Sequence, residues 1–162
     1  MAACTLIGRN TAQMFTLRPV QLRSLLQGLQ YLETEIVFAC TPLPVAYGLV
    51  GEKLSDAIGE LFLNAADILK TNPDFSPKKA WDIAYKQKSH KLYLRPQDEA
   101  IVNAFLTGLG QSHRDEQLKQ LRLVQELLRG ELEKSIDESK KFARMYNTLG
   151  ISVGLVLVIL LF

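Results

Sequence analysis

A chain of 162 residues can bury one hydrophobic core of ordinary size but not two. With 48% hydrophobic and 22% charged residues it is globular rather than disordered, although its last stretch inflates the apolar share. A formal net charge of +2 asks for no nucleic-acid partner, and two cysteines, Cys4 and Cys40, make no disulfide framework.

Met1 to Gly8 is apolar but far too short to span a bilayer, and it lacks the basic start and cleavage site of a signal peptide. Residues 1–17 are therefore read as an apolar stub and linker, of the kind a cut transmembrane helix would leave. Arg18-Pro19 is expected to open the first clear helix, because proline is tolerated at a first helical position and pre-sets φ there. Val20, Leu22, Leu25, Leu26, Leu29, Leu32, Ile36 and Cys40 then recur at three- and four-residue steps, one buried stripe. Cys40, closing that stripe, is expected as a small buried side chain in a reducing compartment. Thr41-Pro42 is read as a cap followed by a first-turn proline, so the helix ends near Cys40 and a short second one runs through Leu43, Ala46, Tyr47 and Val50.

Leu54, Ile58, Leu61, Phe62, Ala65, Ile68 and Leu69 predict a third helix, which Thr71-Asn72-Pro73 terminates. Ser76-Pro77 repeats the cap-then-proline device before a fourth helix with Ala80, Trp81, Ala84 and Tyr85 on one face. Arg95-Pro96 starts a fifth, with Asp98 and Glu99 in the first turn where they favour the helix dipole. Its stripe is Ile101, Val102, Phe105, Leu106 and Leu109, and Gly110 is placed just past its end. Leu118, Leu121, Val124, Leu128, Leu132, Ile136, Phe142 and Tyr146 keep one face of a long sixth helix, laced outside by Asp115 to Lys119, Arg129 to Glu133 and Asp137 to Lys141. No alternating strand pattern of useful length occurs, so the fold class is an all-α bundle of about six helices.

Residues 145–162 form the third region after the helical domain of residues 18–144. Leu149 to Phe162 carries no charge, Tyr146 suits the headgroup boundary, and the 18 residues from Met145 lie at the short end of what spans hydrocarbon. The run is read as a transmembrane anchor. Lys134, Lys140, Lys141 and Arg144 precede it, which leaves the domain on the cytoplasmic side.

Catalysis needs a nucleophile, a tuned acid/base pair or a metal, and the sequence supplies none in a convincing arrangement. His90 sits among lysines; His113 opens a helix before Arg114, Asp115 and Glu116 but lacks further ligands at metal spacing. Gly108-Leu109-Gly110 follows a helix where a phosphate loop would follow a strand. No catalytic, metal or cofactor site is expected, and the chain is read as no enzyme. Charge is more informative. Between Ser76 and Pro96, Lys78, Lys79, Lys86, Lys88, Lys91 and Arg95 face a single acid, Asp82, whereas from Gln97 to Ser139 nine acids face five bases. The basic segment is a solvated face, a surface for anionic lipid or a dock for an acidic partner. Nucleic acid is disfavoured, since only Tyr85 and Tyr93 accompany the lysines.

The chain resembles the stage III sporulation protein AB family of endospore-forming bacteria over nearly its whole length. The resemblance rests on Arg18-Pro19 with Leu22-Arg23, Leu32-Glu33-Thr34-Glu35-Ile36, Thr41-Pro42-Leu43 with Ala46, then Phe105, Leu109-Gly110, Asp115 and Gln117, and finally Lys141, Tyr146 and Leu149-Gly150. The family normally has an apolar segment before the Arg-Pro, of which this chain shows the stub from Met1 to Gly8. What the resemblance implies is an assembly subunit of the mother-cell sporulation channel, similar in kind to the helical platform of type II secretion systems. Its partners would be other stage III sporulation subunits, a secretion-type ATPase and the membrane, with a homo-oligomer also compatible. On that reading Arg18, Arg23, Glu33 and Glu35 on the first helix join Lys78, Lys79, Lys86, Lys88 and Lys91 as partner contacts, while Pro19, Thr41, Pro42 and Gly110 serve the architecture. Intramolecular pairing of those charges is the competing assignment. A tail-anchored regulator that binds a partner helix in a groove is the alternative function.

Overall fold

The computed structural model describes the backbone of residues 2–109 and 114–161, and the side chains of residues 13–109 and 116–145. Six α-helices account for most of it: α1 Ala2–Glu33, α2 Leu43–Lys53, α3 Ala57–Thr71, α4 Pro77–Lys88, α5 Pro96–Gly108 and α6 Arg114–Leu161. A π-helical turn, Thr34–Phe38, closes α1, and a 3₁₀ turn, Ser89–Lys91, follows α4. The all-α class is as expected, and there is no strand among the described residues.

Local chemistry sets most of the boundaries. The Ser76 hydroxyl accepts from the Lys79 N–H, with Pro77 in the first turn of α4. Asn72 ends α3 by closing back on the Ile68 carbonyl, before Pro73. Asp56 caps the other end of α3, its Oδ1 accepting from the N–H groups of Ile58 and Gly59 and from the Ser24 hydroxyl of α1. Gly59 permits this tight corner: a Cβ there would lie 2.2 Å from the Leu54 carbonyl oxygen.

The core is one cluster. Leu22, Leu25, Leu29 and Leu32 of α1 pack with Ala46, Tyr47 and Val50 of α2, Ile58, Leu61 and Phe62 of α3, Trp81 of α4, Val102 and Phe105 of α5, and Leu121, Val124 and Leu128 of α6. Tyr47, Phe62 and Trp81 meet edge to face, with the Phe62 and Trp81 ring centroids 5.0 Å apart. Gly28 lets α1 close on α3, since a Cβ there would sit 2.8 Å from the Phe62 ring. Helices α2, α3 and α4 pack in succession, and α1 lies along α6. The α1–α6 pair is antiparallel. Phe15 stacks on Phe142 at 4.4 Å, while Glu33 meets Gln125 and Arg122 at the far end.

Four local expectations are corrected. Pro19 lies inside α1 rather than at its start, so the helix runs through the boundary drawn between residues 17 and 18. The rung that proline removes costs about 3 kcal/mol, and packing on both sides of it, Phe15 on Phe142 and Leu22 in the core, outweighs that cost. Thr41 is not the cap of α2. Pro42 occupies that position without a side-chain bond, and the Thr41 hydroxyl donates instead to Glu35 Oε2 at 3.0 Å. Cys40 is exposed, with φ of +53°, because the π-helical turn reverses the chain before the stripe reaches it. Arg129 pairs three residues back with Glu126, not forward with Glu133, and Lys134 pairs with Glu131 in the same way. Gly110 lies outside the described residues, as do the side chains of the apolar run from Leu149 to Phe162. Among the described residues no helix is long and apolar enough to cross a membrane.

Candidate functional site

The strongest concentration of organised charge is where α1, α5 and α6 meet. Arg18, only 1% exposed, projects from α1 and donates to Asp98 of α5 through Nε at 2.9 Å and Nη2 at 2.8 Å. Nη2 also donates to Glu131 of α6 at 2.9 Å. Arg95, just before α5, forks onto Glu138 of α6 at 3.1 and 2.6 Å, and its own N–H donates to Asp98 Oδ2. Pro96 follows and sets the first turn, from which Asp98 reaches Arg18 of α1 while Arg95 reaches Glu138 of α6.

Burial works against the Arg18 charge, but the hydrogen bonds and charges of Asp98 and Glu131 outweigh it and raise the guanidinium pKa. Lys134 and Arg18 hold Glu131 below the usual carboxylate range against its partial burial, and Arg95 does the same for Glu138. Arg18, Glu131 and Glu138 therefore keep their charges through neutral pH. Such a cluster clamps helices; it does not shuttle protons. Asp98 carries this arrangement, beyond the dipole role its place in the first turn suggests. Its spacing three residues after Arg95 lets the carboxylate reach back to the Arg95 N–H, one half of a capping box, whereas nothing local points to Arg18.

The charged edge expected on α1 is distributed differently. Arg18 faces inward, with Nε and Nη2 engaged and Nη1 buried without a hydrogen-bond partner 4.0 Å from Glu138, so it cannot offer a surface contact without breaking the clamp. Glu33 accepts from Gln125 at 3.0 Å and lies 3.5 Å from Arg122. Glu35 is engaged by Lys53 and Thr41. Arg23 is exposed, beside Ser24 and Gln27.

The basic segment is also partly neutralised from within. Lys88 and Lys91 converge on Glu60 of α3 at 3.0 and 2.8 Å, pulling that carboxyl down to about 2, with Lys91 the larger influence. Lys78 pairs with Asp82 one turn on at 2.6 Å, and the Lys79 ammonium lies 3.6 Å from the centre of the Phe75 ring. Lys86 is exposed one turn beyond Asp82, on the same face of α4. The segment is pinned to α1 by Gln21, which donates to the Lys91 carbonyl and accepts from the Tyr93 N–H, both at 2.7 Å. Tyr93 in turn donates to Gln13 at 3.0 Å. Sequence reasoning missed Glu60 and Gln21, which come from other helices. Among the described residues no group of three or more His, Cys, Asp or Glu side chains could hold a metal ion.

Comparison with known proteins gives a consistent result. The family model described as stage III sporulation protein AB matches residues 1–162. The chain is 31% identical over 161 residues to the stage III sporulation protein AB of Bacillus subtilis (strain 168), covering 99% of this chain and 94% of that protein. A solved structure of a stage III sporulation protein AB aligns with a TM-score of 0.69 at 29% identity, over 75% of this chain and 94% of the solved one.

Proposed function

The chain belongs to the stage III sporulation protein AB family, and from that premise we propose that it is a membrane-held helical platform in a sporulation complex. On this reading it catalyses nothing itself and holds other stage III sporulation proteins in register, a secretion-type ATPase among them. The observation that supports the platform is the antiparallel α1–α6 pair. The Phe15–Phe142 stack closes the described part of that pair, and both helices continue past it in the direction of the apolar stretches, Met1 to Gly8 and Leu149 to Phe162. Two helices leaving one end of a bundle suit attachment to a single membrane. Lys140, Lys141 and Arg144 are exposed on the turns around Phe142, which suits the cytoplasmic, mother-cell face of a bilayer. Family membership weighs for the platform over a groove-binding regulator.

Membrane flotation tests this reading. Deleting residues 149–162 should move the protein out of the floating fraction, or weaken its flotation if the first stretch also inserts, while circular dichroism retains the helical signal. A truncated chain that floats as before, or loses its helicity, would reject the anchor.

A further inference from the structure

Two arginines face one carboxylate, that of Glu138. Arg95 holds it: Nη2 donates to Oε2 at 2.6 Å and Nη1 to Oε1 at 3.1 Å. The same Oε2 lies 4.0 Å from Nη1 of Arg18, a buried donor with no hydrogen-bond partner. We propose that Glu138 is a two-position latch, able to leave Arg95 for Arg18 and so free the Arg95 guanidinium from α6 while α1 keeps its hold on α5.

The case rests on an uneven sharing of acceptors. Arg18 is 1% exposed, and a donor withdrawn from water without an acceptor is costly. Arg95 is 31% exposed, so its N–H groups return to water when the carboxylate leaves. The better hydrated arginine thus holds both oxygens, and the buried one lacks a partner. Arg18 cannot turn to correct this, because Asp98 fixes its Nε and Nη2. The carboxylate can move instead. Glu138 is 38% exposed, at the end of a flexible side chain, and closing by about 1 Å brings Oε2 within hydrogen-bond distance of Nη1. Glu131, which accepts from Arg18 Nη2, repels a second carboxylate at this position, and Lys134 at 2.7 Å offsets part of that charge. Both arginines already favour the ionised Glu138, Arg95 more strongly.

The two positions join different helices. On Arg95 the latch ties α6 to the start of α5; on Arg18 it ties α6 to α1. Asp98 stays bonded to Arg18 and to the Arg95 N–H in both, so the first turn of α5 keeps its place and only the Arg95 side chain is released. Glu138 lies one turn before Phe142, whose ring stacks on Phe15. A shift of α6 of about 1 Å at this level therefore decides whether Arg95 faces α6 or solvent. This inference is independent of how the chain is held to a membrane.

The experiment weakens the first position and finds where Glu138 goes. Crystal structures are determined for the full-length protein in mild detergent carrying Arg95→Gln, and carrying Arg95→Lys, whose ammonium lacks the planar fork that holds both oxygens. In each, the distance from Glu138 to Arg18 Nη1 should close from 4.0 Å to about 3 Å. A carboxylate that turns to solvent, or stays at 4.0 Å, overturns the proposal. Urea midpoints give a second readout in solution. Glu138→Gln should lower the midpoint more than Arg95→Gln, because it takes the charged acceptor from both arginines, whereas Arg95→Gln leaves that acceptor for Arg18. Equal losses are what a fixed Arg95–Glu138 pair predicts and would also overturn the latch. Both side chains are partly exposed, and circular dichroism establishes that the comparison is made on folded protein.

Discussion

Replacing Asp98 by alanine isolates the central clamp. Asp98 is fully buried and accepts two hydrogen bonds from Arg18 and one from the Arg95 N–H. Removing it strands a guanidinium that is itself 1% exposed, with Glu131 at 2.9 Å as its remaining close partner. Breaking a buried pair by deleting one member costs about 3–5 kcal/mol, and the surviving Glu131 contact puts the expected loss near the lower end, about 3 kcal/mol. The informative comparison is the double variant Arg18→Met, Asp98→Leu, which removes both charges and fills the space with apolar atoms. It should be more stable than Asp98→Ala by about 1–2 kcal/mol, because the cost lies in the unpaired charge and not in the loss of the pair as such. Urea unfolding followed by both circular dichroism and Trp81 fluorescence measures each midpoint. A double variant as unstable as the sum of its single variants would refute the argument, because Arg18 and Asp98 would then contribute independently.

Glu131 and Glu138 have folded-state pKa values below the ordinary 4.5, so the stability they contribute is present above that value and lost as the pH falls through the lowered ones. Thermal midpoints should hold from pH 7 to about 5 and decline below 4.5, and a Glu131→Gln, Glu138→Gln variant should show a lower plateau with a shallower acid decline; equal slopes would remove both groups from the account. Gly59→Ala should destabilise by about 1–3 kcal/mol in chemical denaturation, because its Cβ would meet the rigid Leu54 carbonyl and not a side chain able to move. An unchanged midpoint would show that the corner can open without cost. If the lysines of the α4 segment form a docking surface for anionic lipid, Glu60→Gln should strengthen vesicle binding by releasing Lys88 and Lys91, and changing Lys78, Lys79, Lys86, Lys88 and Lys91 together to glutamine should weaken it. Cosedimentation with vesicles containing anionic phospholipid reads both, and identical binding by the two variants would leave the segment as a solvated face.

What could be read in advance follows the range of the interactions. The starts of α4 and α5 and the end of α3 depend on capping groups and prolines within a few residues, and Ser76-Pro77, Arg95-Pro96 and Thr71-Asn72-Pro73 place them. The apolar stripe of α3, and that of α1 apart from the half-exposed Val20 and the exposed Cys40, likewise packs in the core, because a period near 3.6 identifies the face even before its partner is known. Pro19 misled because the same local rule was applied where tertiary packing decides: α1 continues through it. The charges were least legible. Arg18 and Asp98 are 80 positions apart, and Lys91 lies 31 from Glu60, so no local pattern separates a clamped side chain from a solvated one. Lysine counts gave the α4 segment a net sign, but the folded surface is also set by Glu60, which α3 brings against Lys88 and Lys91.

The antiparallel α1–α6 pair joins the first and last helices of the chain, and this fixes an order of events during synthesis. Helices α2, α3 and α4 pack on their neighbours in sequence and can settle as soon as they emerge. The side of α1 that carries Phe15 and Arg18 has to wait, because Phe142, Glu131 and Glu138 are among the later residues to leave the ribosome. Until then an arginine destined for the interior remains hydrated, and desolvating it too soon would be unfavourable. Closure of the bundle is therefore a late step that registers whether α6 has been made, so a chain terminated before Glu131 keeps its first helix without its final partner.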